Sequence, residues 1–270
     1  MDSMLRKIQT EDRPALTRLW SESFSDPERL IGDFFRLLPG MGFGLLAERA
    51  GTLLGAAYVL TELELALPQG GKKPLGYLYA VAVTPQARGA GLGARLSRAC
   101  AEEARAQGCQ LLCTQPAEPA LFPWYRRSLG LEPALYRREE ALSPAPLEPC
   151  MELSATDYRY WRERMLASLP HVRLGDRALQ YQHSLCKSYG GGFFAVGDGV
   201  AAAYLDGEAC RIRELLAPPE ADRRCLAASL AAHLSAGTAL LNTANPAGAP
   251  YIAAAPGALP RDCQWNLSLD

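Results

Sequence analysis

The residues best placed by type and spacing to do chemistry form one stretch, Val81-Ala82-Val83-Thr84-Pro85-Gln86-Ala87-Arg88-Gly89-Ala90-Gly91-Leu92-Gly93-Ala94. Leu78, Tyr79, Val81 and Val83 carry no charge and are bounded by Gly76 and Pro85, which predicts a buried strand. A turn through Arg88, Gly89, Gly91 and Gly93 follows, and Arg95 to Ala104 reads as a helix stopped by Gly108. The first amides of a helix have no internal partner and carry the positive end of its dipole. Glycines ahead of them let the backbone approach a phosphate that a Cβ would hold off, and Arg88 adds a full charge. The chemistry is therefore anion binding. The glycines are spaced G-x-G-x-G, which does not fit the dinucleotide fingerprint, and Gly93-Ala94-Arg95 does not supply the end of a Walker A loop.

What fits is Arg88-x-x-Gly91-x-Gly93 preceded by Val83-x-Pro85. This resembles the acyl-CoA pyrophosphate signature of the GNAT superfamily of N-acyltransferases. A second stretch, Phe122-Pro123-Trp124-Tyr125-Arg126-Arg127-Ser128-Leu129-Gly130-Leu131, is similar to the aromatic motif of the same enzymes, with one extra residue between Tyr125 and Gly130. The resemblance implies that Tyr125 protonates the departing thiolate. That role is chemically sensible, because a phenol can give a proton without being ionised at rest. It also implies that the backbone of Val81 and Val83, either side of Ala82, binds pantetheine, and that the amides from Gly89 through Ala90, Gly91, Leu92 and Gly93 to Ala94 hold the pyrophosphate.

The elements that must position these residues can be read outward from them. Leu5 to Gln9 is a strand candidate, and Thr10 is expected to cap a helix with Leu16, Leu19, Trp20, Ser23 and Phe24 on its apolar face. Asp26-Pro27 opens a second helix, with Leu30, Ile31, Phe34, Phe35 and Leu38 inward, ended by Pro39-Gly40. Strands are expected at 43–48 and 52–64 around Ala50-Gly51, then at 75–83, 110–114 and 131–140, with a short helix at 121–128. The order βααβββαβαβ is mixed α/β, not the alternation of a dinucleotide-binding sheet, and it is the element order of GNAT domains over about residues 4–142.

Ser143 to Pro149 holds three prolines in seven residues and reads as a linker. Beyond it the same kinds of element recur. Helices are expected after Thr156, after Asp176 and over 220–234, with strands at 193–196, 200–205, 210–216 and 239–242. The expected fold is thus α/β, two GNAT-like domains in tandem: 1–142 with the cofactor, a linker at 143–150, and 151–270 as a degenerate copy. The degeneracy is read at Ala217-Pro218-Pro219-Glu220-Ala221-Asp222, where prolines remove donors and carboxylates repel phosphate. Such tandem halves look like those of aminoglycoside acetyltransferases of the enhanced-intracellular-survival type. Those enzymes carry a third, sterol-carrier-like domain that this chain is expected to lack, so their substrate does not transfer by analogy.

The chain has 270 residues, 49% hydrophobic and 21% charged, with a net charge of -1. No general affinity for nucleic acid or anionic membrane is expected. Eight cysteines without a C-x-x-C pair, and only three histidines, argue against a zinc site and for reduced thiols in a cytoplasmic protein. No apolar run reaches membrane length and no signal peptide is read. The resemblance implies an N-acetyltransferase using acetyl-CoA and no metal, with a primary amine of a small molecule or peptide as acceptor. The alternatives are a non-catalytic acyl-CoA sensor or an interaction protein. Glu62 and Glu64 are candidates for the base, which the residues leave unassigned, and Gln264 to Asp270 reads as an alternating strand.

Overall fold

The computed structural model describes residues 3–265. The first half of the chain runs β1 (Met4–Lys7), α1 (Arg13–Phe24), α2 (Glu28–Met41), β2 (Gly42–Arg49), β3 (Thr52–Ala66), β4 (Lys72–Val83), α3 (Leu92–Ala106), β5 (Leu111–Thr114), α4 (Phe122–Leu129) and β6 (Glu132–Leu142). The second runs β7 (Cys150–Leu153), α5 (Ala155–Leu166), β8 (His171–Leu174), α6 (Asp176–Ser188), β9 (Gly192–Val196), β10 (Gly199–Asp206), β11 (Ala209–Leu216), α7 (Arg223–His233), β12 (Thr238–Ala244) and β13 (Ala249–Ala254). The α/β class and the mixed sheet follow the sequence reading. Strands β7, β8 and β13 were not expected from it, being short and without strong alternation.

The strands of both halves form one continuous sheet, because each half gives its last strand to the other. β13 pairs with β5 through Ala253↔Thr114 and Ala254↔Cys113, while β6 pairs with β12 from Ala239↔Leu142 to Ala244↔Arg137. β6 and β13 also pair with each other. The chain crosses β6 so closely that a Cβ on Gly248 would lie 2.2 Å from the Arg137 carbonyl oxygen. β8, from the second half, extends β3 antiparallel from Leu63↔Leu174 to Ala66↔His171.

Three apolar layers cover the sheet. α1, α2, α5 and α6 share one, which spans both halves on one face, with Trp20, Phe34, Tyr58, Tyr77, Tyr158 and Tyr181 all 2% exposed or less. On the other face α3 and α4 cover the first half and α7 the second. Phe24, expected on the inner side of α1, is instead exposed at the end of that helix.

Helix ends differ from the expected caps. Thr10 opens a single 3-10 turn ahead of α1, and Asp12 takes the cap position. Asp26 does not cap α2, since its carboxylate accepts from Trp20 Nε1 and the Tyr189 hydroxyl, both at 2.8 Å. Ser154, not Thr156, caps α5 by accepting from the Asp157 amide at 3.1 Å. Asp176 begins α6 but does not cap it. Glu62 of β3 does so from the other half, Oε2 accepting from the amides of Arg177 and Ala178 at 2.9 Å each. α7 starts at Arg223, and Asp222 caps it through the amides of Arg224 and Cys225. A carboxylate near a helix start goes to whichever unpaired donor the tertiary fold brings closest, which spacing along the chain does not reveal.

Candidate active site

β4 is hydrogen-bonded to β5 only from Leu75↔Leu111 to Tyr77↔Cys113. Beyond Tyr77 no ladder joins them, and β5 ends at Thr114. At the same point β4 carries an extra residue against β3: Ala56 faces Ala82 while Tyr58 faces Tyr79. Ala80 absorbs the extra length with φ +48°, a left-handed conformation that a non-glycine residue rarely takes outside such a bulge. Tyr77 and Tyr79 join the layer under α1, α2 and α6, while Leu78, Val81 and Val83 face α3 and α4.

The turn after β4 ends in Gly89 at φ +80° and Gly91 at φ +74°, and Gly91 is the first residue before α3. No side chain caps this helix, and its first internal bond is Arg95 N–H to the Gly91 carbonyl. The amides of Leu92, Gly93 and Ala94 therefore have no helical partner. They border a cleft of about 310 Å³ lined by Val83, Arg88, Gly89, Gly91 and Trp124. A Cβ on Gly89 or Gly91 would meet nothing within 4 Å, so the backbone here faces open space.

A second cleft of about 390 Å³ adjoins the first, sharing Val83, Arg88, Gly93 and Trp124, and continues past Val81 and Ala82 to Tyr125. Ser23 and Phe24 form its far rim. Of the residues expected to hold the cosubstrate or to protonate the thiolate, all but Ala90 line one of these clefts; Ala90 lies in the turn between the two left-handed glycines. Arg88 Nε donates to the Val83 carbonyl at 3.1 Å, so the turn's cation lies across the junction of the clefts.

Tyr125 is 7% exposed, its ring edge-on to Trp124 at 4.8 Å. Burial pushes its phenol above the usual value, and a hydrogen bond with Thr114 offsets part of that. The hydroxyl is thus held in its proton-bearing form at neutral pH. Thr114 is itself tied to β4, Oγ1 donating to the Leu78 carbonyl at 2.9 Å. Sequence reasoning assigned no role to Thr114 or to Trp124. The one signal for Thr114 is a hydroxyl closing the otherwise apolar strand Leu111-Leu112-Cys113.

The matching place in the second half is built differently. β11 carries a bulge at Arg213, between Ala202↔Glu214 and Ala203↔Ile212, much as β4 does at Ala80. The following helix, however, has its first amides taken by Asp222. Glu62 and Glu64 are also committed, the first to α6 and the second to Lys72 and Arg173, each at 3.0 Å. Of the tail read as a strand, Gln264 bridges to His171, and residues 266–270, Asp270 included, lie outside the described residues. All eight cysteines are free thiols. Among the described residues no helix is long and apolar enough to cross a membrane, and no group of three or more metal-ligating side chains is present.

A bulged strand, a glycine turn and an uncapped helix thus define a site suited to an anion. The family model described as "Acetyltransferase (GNAT) domain" matches residues 4–133. No curated protein matches the chain in sequence. Among solved structures, a GCN5-related N-acetyltransferase from Kribbella flavida is similar over 94% of this chain and 71% of its own, at 18% identity and TM-score 0.68. A conserved protein of Enterococcus faecalis, described as a probable N-acyltransferase, is similar over 94% and 72%, at 14% identity and TM-score 0.72. Eis1 from Mycobacterium abscessus is similar over 93% and 72%, at 15% identity and TM-score 0.62. At these identities the likeness is one of fold, and it extends over both halves.

Proposed function

We propose that the protein is an N-acetyltransferase that moves an acetyl group from acetyl-CoA to a primary amine of a small molecule or peptide by direct attack. The observation that carries this reading is that uncapped amides at the start of α3 and the buried phenol of Tyr125 open onto adjoining clefts. The residues fit the cosubstrate: bare amides and Arg88 suit a diphosphate, and the unpaired edge of β4 at Val81–Val83 suits the amides of a pantetheine arm. Acetyl-CoA supplies the acetyl group as a thioester, already activated for transfer.

Arg88 leaves the Val83 carbonyl to meet phosphate, freeing that carbonyl for the arm. The acceptor nitrogen must be neutral to attack. As the new N–C bond forms and the C–S bond breaks, Tyr125 gives its proton to the sulfur, and the proton that the nitrogen sheds on becoming an amide passes to solvent, from which the phenol is reprotonated. Residues 1–142 carry this chemistry. Residues 151–270 hold no second cofactor, a reading supported by Asp222 filling the amides that a phosphate would need. The free cysteines support a reducing, cytoplasmic setting.

Calorimetry with CoA, followed by thiol release over a panel of amines, tests the proposal. One CoA bound per chain and turnover with at least one primary amine are expected. Absence of CoA binding overturns the reading, and binding without turnover replaces it with a sensor.

A further inference from the structure

One face of α5 is turned to solvent. At about 3.6 residues per turn, Asp157, Tyr160, Trp161 and Arg164 share that face, and all four are exposed. The opposite face is pinned. Tyr158, Arg162 and Leu166 are buried there, and the Tyr158 hydroxyl and Arg162 Nε both donate to Glu214 at 2.7 Å.

Tyr160 and Trp161 are 56% and 44% exposed, their rings edge-on at 5.2 Å. The Arg164 guanidinium lies 5.4 Å from the Tyr160 ring and 6.0 Å from the Trp161 ring. Beside them is a shallow hollow of about 460 Å³ lined by Trp161, Arg164, Met165 and Ala167. Met151, on β7 just before the helix, and Leu169, just after it, are exposed as well. Aromatic, methionine and arginine side chains are the ones enriched where proteins meet.

The order of charges selects the partner. Asp157 stands one turn before the aromatic pair and Arg164 one turn after it, about 10 Å apart along the axis. A second α5 laid parallel would set each charge against its own kind. Laid antiparallel about a two-fold axis through Tyr160 and Trp161, it sets Asp157 of each copy against Arg164 of the other. The same reversal puts Tyr160 of one copy on Trp161 of the other, and Leu169 toward Met151. Both charges are available. Within its own chain Arg164 donates to the Tyr160 hydroxyl at 3.4 Å and, among the described residues, has no carboxylate partner. Asp157 accepts from the Ser154 hydroxyl through Oδ2 at 2.6 Å, which leaves Oδ1 for a second donor.

We infer that α5 is a self-association surface whose partner is a second copy of this chain, packed antiparallel across a two-fold axis. The aromatic pair supplies the affinity. The charge pairs set the direction, since exposed pairs contribute little energy while like charges in their place repel. One helix per copy makes a contact at the small end of specific interfaces, so monomer and dimer exchange at micromolar concentration. No residue of α5 lines either cleft, and the association requires nothing of the acetyl-transfer reading.

The test is sedimentation equilibrium on the full chain from about 1 to about 300 µM. It compares the wild type, Asp157→Arg, Arg164→Asp, an equimolar mixture of those two variants, and Trp161→Ser, with Tm to report folding. The wild type should pass from monomer to dimer over this range. Each charge variant alone should have its dissociation constant raised at least about tenfold, and the mixture should dimerise as the wild type does, because each copy then meets opposite charges. Trp161→Ser should weaken the dimer at least about tenfold at unchanged Tm, and it decides the matter alone if a charge variant loses Tm. The inference is overturned by a wild type that stays monomeric at the highest concentration, by an assembly that none of the substitutions changes, or by a mixture of well-folded charge variants that associates no better than its components.

Discussion

Gly175 and Glu62 meet so closely that a Cβ on the glycine would lie 2.2 Å from Glu62 Cγ. Gly175 has φ -69°, which any residue tolerates, so space and not backbone conformation demands glycine here. Gly175→Ala must push Glu62 off the start of α6. We expect a loss of about 2–3 kcal/mol, combining overpacking with the lost cap. It should read as a fall of about 2–4 °C in Tm per kcal/mol.

Gly91 makes the opposite demand. Nothing lies within 4 Å of a Cβ there, yet φ is +74°. Gly91→Ala should cost about 1 kcal/mol of backbone strain in stability. If the turn holds a diphosphate, the same change should weaken CoA binding by more than that strain accounts for, as measured by calorimetry.

Tyr125→Phe removes the proposed acid and leaves the ring against Trp124. Turnover should fall by about 10²–10⁴ while acetyl-CoA affinity changes little. The acid works only while protonated, and burial raises its pKa. The loss of kcat at alkaline pH should therefore set in above about 10, the ordinary tyrosine value. A pH profile whose alkaline limb lies well below that value, or unchanged turnover in the variant, would reject the role.

Asp222→Ala should destabilise the protein by about 1 kcal/mol through loss of the α7 cap. It should not create a second CoA site, because Pro218 and Pro219 have no N–H and the turn has no glycine. Calorimetric stoichiometry should remain one CoA per chain.

Arg162 and Glu214 form an ion pair, 2.7 Å from Nε to Oε2, with side chains 1% and 0% exposed. The Tyr158 hydroxyl donates to the same carboxylate oxygen at 2.7 Å. Arg162→Met strands a buried carboxylate and should cost about 3–5 kcal/mol. The double variant Arg162→Met/Glu214→Leu should recover much of it. Chemical denaturation of the three chains measures both effects.

Much of the first half was legible because its signals are local. The glycine turn, the apolar run through Val83, and helical spacing in α1, α2 and α3 each follow from neighbouring residues. The clefts bring together what that stretch had already grouped, and Tyr125 joins them from a separate motif. Thr114 was not legible, since nothing about a threonine ending a strand says which carbonyl it will meet. Glu62 and Glu64 looked available for chemistry, but strands and helices more than a hundred residues away engage both.

By itself the sequence determined the α/β class, the order of elements in the first half, and which turn can present bare amides while its later counterpart cannot. These are properties of short segments, governed by backbone sterics, missing or present N–H groups, and charge. Only the tertiary structure decided that the halves exchange their last strands, that α6 is capped from β3, and that Tyr181 reaches Tyr79. Those pairings join residues far apart in the chain. Their energy comes from burial and hydrogen bonds that exist only once both halves have folded against each other.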